Sequence, residues 1–301
     1  MTFGTIIAAG AVAYLLFTLL CTYLVQALPR RPIEDPPDWG RVVDTRVNTA
    51  DGGSLEVWRV EPEAPSKGIV LLAHGWGRNR DRMVNRARMF GQWGFTTVIH
   101  SARDHGNSSR RRFMNAYRFG EDMETVMEWI GEPVILYGHS AGAGGAIIAA
   151  SRNPDRIRLL ILEACYAVTD EALLSLYRWV NWGFGTFIGP MVIFWMKVFY
   201  RNRLKEVDPV ALAPRVRAPT LIIHGEKDRR FPLEFARRLH AGFPEGQAQL
   251  HVARGAGHSD SSLTPEYPDA VKAFLDRRRV GRYRGMGHGA WGVEPGSGSM
   301  E

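Results

Sequence analysis

Residues 133–150 read Pro-Val-Ile-Leu-Tyr-Gly-His-Ser-Ala-Gly-Ala-Gly-Gly-Ala-Ile-Ile-Ala-Ala, and the rest of the chain is interpreted around this segment. The apolar run 134–137 predicts a strand buried on both faces, and the alanine-rich run 146–150 favours a helix. Between them, small residues surround Ser140 in a Gly-x-Ser-x-Gly pattern at 138–142. Such a pattern between a strand and a helix predicts a strained turn with an exposed, reactive serine at its apex. The alternative interpretation is a glycine-rich turn that only packs a helix on a sheet.

Composition and charge are those of an ordinary globular chain. It has 301 residues, of which 45% are hydrophobic and 23% charged, enough for one large α/β domain with additions. The chain has only two cysteines, Cys21 and Cys165, so we predict no disulfide framework. No group of Cys and His residues has the spacing of a zinc site, so we predict no metal site. The net charge of +7 comes partly from arginine runs at 110–112 and 277–279. These runs suit anionic lipid headgroups better than nucleic acid, because no nucleic-acid-binding module is present.

The N-terminal region predicts a membrane anchor. Residues 3–28 carry no charge and form a run longer than the roughly 20 residues that cross a bilayer. Arg30 and Arg31 follow it directly, which places the rest of the chain in the cytoplasm by the positive-inside rule. A cleaved signal peptide is the alternative, but a basic start and a small-residue cleavage site are missing. We therefore expect a single transmembrane anchor at 1–28 and a stiff proline-rich linker at 29–40.

From residue 41 onward, strands and helices alternate. A hairpin at 42–60 opens this region, with Asp51-Gly52-Gly53 as its turn. We expect a mostly parallel central sheet with helices on both faces, an α/β domain covering 41–280. The glycine-rich residues 281–301 predict a disordered tail. The further predicted strands are 68–73, 95–100, 134–137, 158–163, 220–224 and 247–252, and the further predicted helices are 82–93, 122–130 and 268–278.

An insertion at about 168–206 interrupts this alternation. It is rich in bulky apolar side chains, and its uncharged run 183–196 is too short to span a membrane. Because it lies between a strand and the next unit of the sheet, we predict a mobile helical cap over Ser140. The number of apolar residues favours a cap that faces lipid. A buried helical hairpin over a small pocket is the alternative.

A reactive serine needs a base, and the base needs an orienting acid. Asp228 follows the predicted strand 220–224, and His258 follows the predicted strand 247–252. Ser140, Asp228 and His258 then all lie at the carboxyl ends of strands, where open α/β sheets place their active sites. We predict Ser140, Asp228 and His258 as the catalytic residues. Glu163 also ends a strand and is the alternative acid.

The loop at 74–77, His-Gly-Trp-Gly, closes the strand that ends at residue 73. We predict that the backbone N–H groups of Trp76 and Ala141 bind a developing oxyanion. The candidate substrate-binding residues are His74, Gly75, Trp76 and His139. For the two histidines, structural packing is the alternative interpretation, and for the Trp76 ring it is packing under the cap.

These motifs together resemble the α/β-hydrolase superfamily, in particular its serine esterase and lipase-like members with a His-Gly-x-Gly loop. The segment 224–228 matches the family's HGxxD pattern. The segment 104–108 is close to the family's D-x-x-G-x-S loop, and His105 stands where the family commonly has arginine. The resemblance implies an α/β-hydrolase fold without a cofactor, and hydrolysis of a small ester or lipid through an acyl-enzyme on Ser140. The same residues serve thioesterases and serine peptidases. A hydrolase-fold binding module without activity is the alternative of another class.

Overall fold

The computed structural model describes residues 2–27, 30–111, 114–200 and 207–285. The N-terminal helix α1 (Phe3–Leu24) precedes an eight-stranded sheet and its helices. The strands are β1 (Arg41–Asn48), β2 (Ser54–Glu61), β3 (Ile69–Ala73), β4 (Thr96–His100), β5 (Val134–His139), β6 (Ile157–Glu163), β7 (Thr220–Gly225) and β8 (Ala248–Ala253). The remaining helices are α2 (Val84–Gln92), α3 (Ala116–Ile130), α4 (Ala141–Arg152), α5 (Thr169–Val180), α6 (Gly189–Phe199), α7 (Pro209–Leu212), α8 (Leu233–Ala241) and α9 (Tyr267–Gly285).

The sheet confirms the predicted fold class. Its order is β1-β2-β4-β3-β5-β6-β7-β8, with β1 and β2 antiparallel to their neighbours and the other strands parallel. The predicted hairpin is β1 and β2, paired from Arg41↔Glu61 to Asn48↔Ser54. Strand β5 lies in the middle of the sheet, so the turn that follows it lies at the centre of the carboxyl edge.

Both faces of the sheet are covered, as the uninterrupted apolar strands predict. In β3, Leu71 packs into the cluster beneath α3, α4 and α8, whereas Leu72 packs into the cluster beneath α2 and α9. Both side chains are fully buried. Helix α3 begins earlier than predicted, because the Asn115 side chain accepts a hydrogen bond from the Arg118 N–H and caps its first turn.

The inserted segment is helical and forms a cap, made of α5, a π-helical turn (Phe184–Ile188) and α6. The cap packs against α1, and its buried cluster joins Cys21 of α1 to Tyr177, Val192 and Met196 of the cap. Residues 201–206 of the predicted insertion lie outside the described chain.

The predicted boundaries of the first and last helices also differ from the structure. Helix α1 ends at Leu24 rather than at residue 28, and it is the one described helix long and apolar enough to cross a membrane. Helix α9 extends to Gly285, so the first residues of the predicted disordered tail are helical, while residues 286–301 lie outside the described chain.

Candidate active site

The turn between β5 and α4 holds Ser140 in a conformation that ordinary residues avoid. Its φ is 55° and its ψ is −117°, and α4 begins at the next residue. Helix and strand approach so closely that a Cβ on Gly138 would lie 2.4 Å from the Gly142 carbonyl oxygen. A Cβ on Gly142 would lie 2.4 Å from the His74 carbonyl oxygen. The small residues around the serine are therefore a steric requirement of the turn.

The structure brings Ser140, His258 and Asp228 into one hydrogen-bonded chain. The Nε2 of His258 lies 2.9 Å from the Ser140 Oγ, and its Nδ1 lies 2.7 Å from the Asp228 Oδ2. A histidine whose Nδ1–H donates to a carboxylate presents an unprotonated Nε2 toward the hydroxyl. That arrangement can remove the hydroxyl proton as the oxygen attacks a carbonyl carbon.

The Asp228 carboxylate is held from its other side by the backbone. Its Oδ1 accepts hydrogen bonds from the N–H groups of Arg230, at 2.8 Å, and Phe231, at 3.0 Å. Burial by itself raises the pKa of this carboxyl. The hydrogen bond and charge of His258 and the Phe231 N–H lower the pKa further than burial raises it, so it lies below its ordinary value. Asp228 is therefore ionised at neutral pH.

Glu163, the alternative acid, lies in a different network. Its carboxylate accepts two hydrogen bonds from Arg86, at 2.5 and 2.6 Å, and one from the Tyr137 hydroxyl at 2.5 Å. The hydroxyls of Tyr137 and Tyr267 lie 2.7 Å apart in the same buried cluster. The sequence reasoning did not identify this network beneath the serine turn. Its members come from four separate elements, and only the Glu163 carboxylate suggested a polar role.

The 74–77 loop lies against the serine turn. A Cβ on Gly75 would lie 3.0 Å from the Ser140 Cβ, which shows how closely the loop approaches. Within the described part of the chain, the N–H groups of Trp76 and Ala141 donate to no other backbone or side-chain atom. Their binding of an oxyanion at Ser140 stays a prediction.

His105 holds this loop from behind. Its Nε2 accepts a hydrogen bond from the Gly77 N–H at 3.1 Å, and its Nδ1–H donates to the Arg103 carbonyl at 2.9 Å. Burial is the main cause that lowers the pKa of His105, so the ring is neutral and its Nε2 is free to accept. The histidine that departs from the family pattern thus positions the loop.

Three of the candidate substrate-binding residues are corrected by the structure. His74 is fully buried, and its ring contacts the carbonyl of Gly75 at 2.7 Å and the N–H of Ala102 at 3.0 Å. His139 is buried behind the serine, with its Nε2 3.2 Å from the His258 carbonyl oxygen. Neither histidine nor Gly75 is among the residues that line the cavity above Ser140. The two histidine side chains turn into the protein interior, and Gly75 has no side chain to reach the cavity.

That cavity has a volume of about 250 Å³ and contains Ser140, His258 and Trp76 in its wall. The cap forms its roof, with Leu173 and Leu176 among the lining residues. Among the described lining residues there is no aspartate or glutamate. The remaining described lining residues are Val25, Gln26, Met114, Asn115, Ala116, Ala141, Tyr166, Thr169, Ala172, Tyr177, Met196, Tyr200, Arg230 and Phe231.

The N-terminal helix region contributes Val25 and Gln26 to this cavity wall. The sequence assigns both residues to a separate anchor, and no local signal could have placed them in the same cavity as Ser140. Among the described residues, no group of three or more histidine, cysteine, aspartate or glutamate side chains could hold a metal ion.

Comparison with known proteins supports the same fold. Residues 64–202 match the family model of the serine aminopeptidases, S33. A solved structure of the esterase Pf2001 from Pyrococcus furiosus superposes with a TM-score of 0.63 and 17% identity, covering 81% of this chain and 99% of that one. At this identity the likeness shows the fold.

Two curated relatives are lipases. A lysophosphatidylserine lipase, ABHD12 of Macaca fascicularis, is 24% identical over 75% of this chain, which spans only 60% of that protein. A monoacylglycerol lipase of Mycolicibacterium smegmatis is 24% identical over 67% of this chain and 84% of the relative. The sheet order, the serine turn and these comparisons agree that the chain has the α/β-hydrolase fold, and its sequence is similar to lipases with that fold.

Proposed function

We propose that this protein is a membrane-anchored serine hydrolase that cleaves carboxylic esters of acyl-rich substrates. The observation that carries the proposal is the hydrogen-bonded chain of Asp228, His258 and Ser140 at one wall of a mostly apolar cavity. The lipase activities of the two curated relatives support this substrate class.

The proposed reaction uses an acyl-enzyme. The Ser140 Oγ attacks the ester carbonyl carbon while its proton passes to the His258 Nε2, and Asp228 stabilises the imidazolium that forms. The N–H groups of Trp76 and Ala141 bind the oxyanion. His258 then protonates the leaving alcohol, and a water molecule activated by the same histidine releases the acid.

The lining of the cavity favours esters over amino-terminal peptides. A substrate with a free ammonium group would need an anionic partner in this apolar space. Among the described lining residues no carboxylate is available, whereas Leu173, Leu176 and Met196 suit an acyl chain. Thioesters fit the same lining and remain the second candidate substrate class.

We also propose that α1 stays attached and anchors the protein. Thr18, Cys21 and Thr22 are buried against the rest of the molecule, so cleavage after α1 would expose the apolar cluster of the cap. Arg30 and Arg31 follow α1 and favour a cytoplasmic hydrolase domain. Intact mass measures retention of α1, and digestion of the domain by protease added outside sealed cells would contradict the orientation.

A fluorophosphonate probe tests the activity directly. We expect the purified full-length protein to be labelled at Ser140, and the Ser140→Ala variant to remain unlabelled. Ser140→Ala and His258→Ala should each lower kcat on p-nitrophenyl butyrate by at least about 10⁴-fold, and the double variant by little more. An unlabelled wild-type protein that retains its fold would instead be a binding module.

A further inference from the structure

A second apolar space lies outside the active-site cavity, between α1 and the end of α6. This groove has a volume of about 610 Å³. Leu16, Leu19, Leu20 and Tyr23 of α1 form one wall, and Phe199 of α6 forms part of the other. Apolar atoms supply most of its surface, which suits a hydrocarbon chain. The polar lining residues are Thr22, Gln26, Tyr200 and Arg118 of α3.

The groove and the active-site cavity share two lining residues, Gln26 and Tyr200. The Tyr200 hydroxyl donates a hydrogen bond to the Gln26 Oε1 at 3.0 Å. Gln26 is itself held, because its Nε2–H donates to the Thr22 carbonyl at 2.9 Å. The pair therefore stands at the boundary between the two spaces, and a ligand that occupies both must pass beside it.

The contacts between α1 and the cap fix the depth of the groove. The Tyr14 hydroxyl donates to the Phe187 carbonyl at 2.6 Å, and the Trp195 Nε1–H donates to Thr18 Oγ1 at 3.0 Å. The cap thus accompanies α1 from Tyr14 to its end at Leu24, which is roughly 15 Å of helix.

Helix α1 has 22 residues and is about 33 Å long. It can cross a hydrocarbon core of about 30 Å only if the attached cap is also immersed. Large apolar side chains on the outside of the cap support its immersion in the hydrocarbon core, since Trp182 is 68% exposed and Phe187 is 64% exposed. The groove then opens at the depth of the acyl chains of the bilayer.

We infer that the groove between α1 and α6 binds the acyl chain of a membrane lipid ester, which reaches Ser140 sideways from the bilayer. This inference rests on the proposed function. The active-site cavity, about 250 Å³, is smaller than the roughly 300–1,000 Å³ of most small-molecule sites, and the groove provides the missing apolar space. The N-terminal helix is thus part of the substrate-binding site as well as an anchor.

A photoactivatable probe tests where the chain lies. The probe is a hexadecyl fluorophosphonate with a diazirine at the end of its chain, applied to the full-length protein in lipid nanodiscs. The Ser140 Oγ–P bond forms, the P–F bond breaks, fluoride leaves and the hydroxyl proton passes to His258. After illumination, we expect crosslinked peptides that contain residues 16–23 of α1.

The outcomes of this experiment are distinct. Labelling of Ser140 with crosslinks confined to α5, at Leu173 or Leu176, would overturn the groove as the acyl site and leave the hydrolase intact. A wild-type protein that is not labelled at all overturns the proposed function, and the inference that rests on it falls as well.

A matched pair of variants tests the groove by kinetics. Leu20→Trp fills the groove, whereas Leu15→Trp places the same side chain on α1 outside the residues that line it. Both leucines are partly exposed, at 53% and 41%, so tryptophan can replace either without entering the core. We expect Leu20→Trp to lower kcat/KM for the p-nitrophenyl palmitate ester by at least about tenfold and for the butyrate ester by less than about twofold.

The control variant should match the wild type on both esters. Equal palmitate rates for Leu20→Trp and Leu15→Trp would contradict the groove as an acyl site, while the butyrate rates would show that the catalytic residues are intact.

Discussion

Trp195 in the cap donates a hydrogen bond from its Nε1 to the Oγ1 of Thr18 in the N-terminal helix, at 3.0 Å. The Thr18 hydroxyl donates in turn to the Leu15 carbonyl at 2.9 Å, and the Thr18 side chain is fully buried. Cys21 lies in the adjoining apolar cluster. An element that reads as an independent anchor is therefore packed as part of the cap.

The Thr18–Trp195 hydrogen bond should contribute measurably to stability. In a double-mutant cycle with Thr18→Val and Trp195→Phe, we expect a coupling free energy of about 0.5–1.5 kcal/mol, because the bond is partly buried and either substitution removes it. Thermal unfolding in detergent micelles provides the measurement. A parallel cycle with Thr5→Val, at the exposed end of the same helix, should give no coupling. Equal coupling in the two cycles would show that α1 does not rest on the cap as described.

Replacing each of the two buried carboxylates, Asp228 and Glu163, by its amide should separate an effect on catalysis from an effect on stability. Asp228→Asn removes the partner of the His258 Nδ1 and should lower kcat by about 10⁴-fold. Glu163→Gln leaves Arg86 buried without its counterion and should lower the free energy of unfolding by about 3–5 kcal/mol.

The Glu163→Gln protein that remains folded should keep kcat within about tenfold of wild type. Active-site titration with a fluorophosphonate measures that folded fraction. A Glu163→Gln loss as large as that of Asp228→Asn would make Glu163 the acid instead.

His105 should control the position of the 74–77 loop. His105→Leu removes the acceptor of the Gly77 N–H, and we expect kcat on the butyrate ester to fall by up to about 100-fold with KM nearly unchanged. His105→Gln can still accept that bond and should keep most of the activity. Equal losses in the two variants would indicate a general packing defect instead of a misplaced oxyanion loop.

Buried neutral histidines should make the protein sensitive to mild acid. The pKa of His139 is lowered from 6.5 to about 3, mainly by burial. The pKa of His100 is lowered from 6.5 to about 4 by burial. Below pH 6.5 these two histidines bind protons in the unfolded chain but not in the native protein. The free energy of unfolding that they contribute is therefore fully present above pH 6.5 and is lost as the pH falls toward the native pKa values.

Each of these histidines should contribute a slope of up to about 1.4 kcal/mol per pH unit. His100→Gln, which cannot titrate, should make the decline of the thermal midpoint between about pH 7 and pH 5 shallower. An unchanged slope would mean that His100 is protonated in the native protein.

The fold and much of the candidate site were predictable because their signals are local. The serine turn is encoded by an apolar strand, small residues and a helix within one stretch, and the order of Ser140, Asp228 and His258 follows the order of the strands. For His74 and His139 the structure shows packing in the interior, the alternative to substrate binding, and a residue at a strand end can point either way. The direction depends on which neighbouring element packs against it.

The amino-acid sequence encodes the alternation of strands and helices, the strained serine turn and the apolar N-terminal helix, since each follows from periodicity or side-chain size over a few residues. Two contacts become visible only in the folded protein: α1 packs on the cap, and Gln26 contacts Tyr200 beside the cavity. These contacts join residues far apart in the chain. They depend on the fit of two surfaces, and a pattern along one segment carries no information about the surface that meets it.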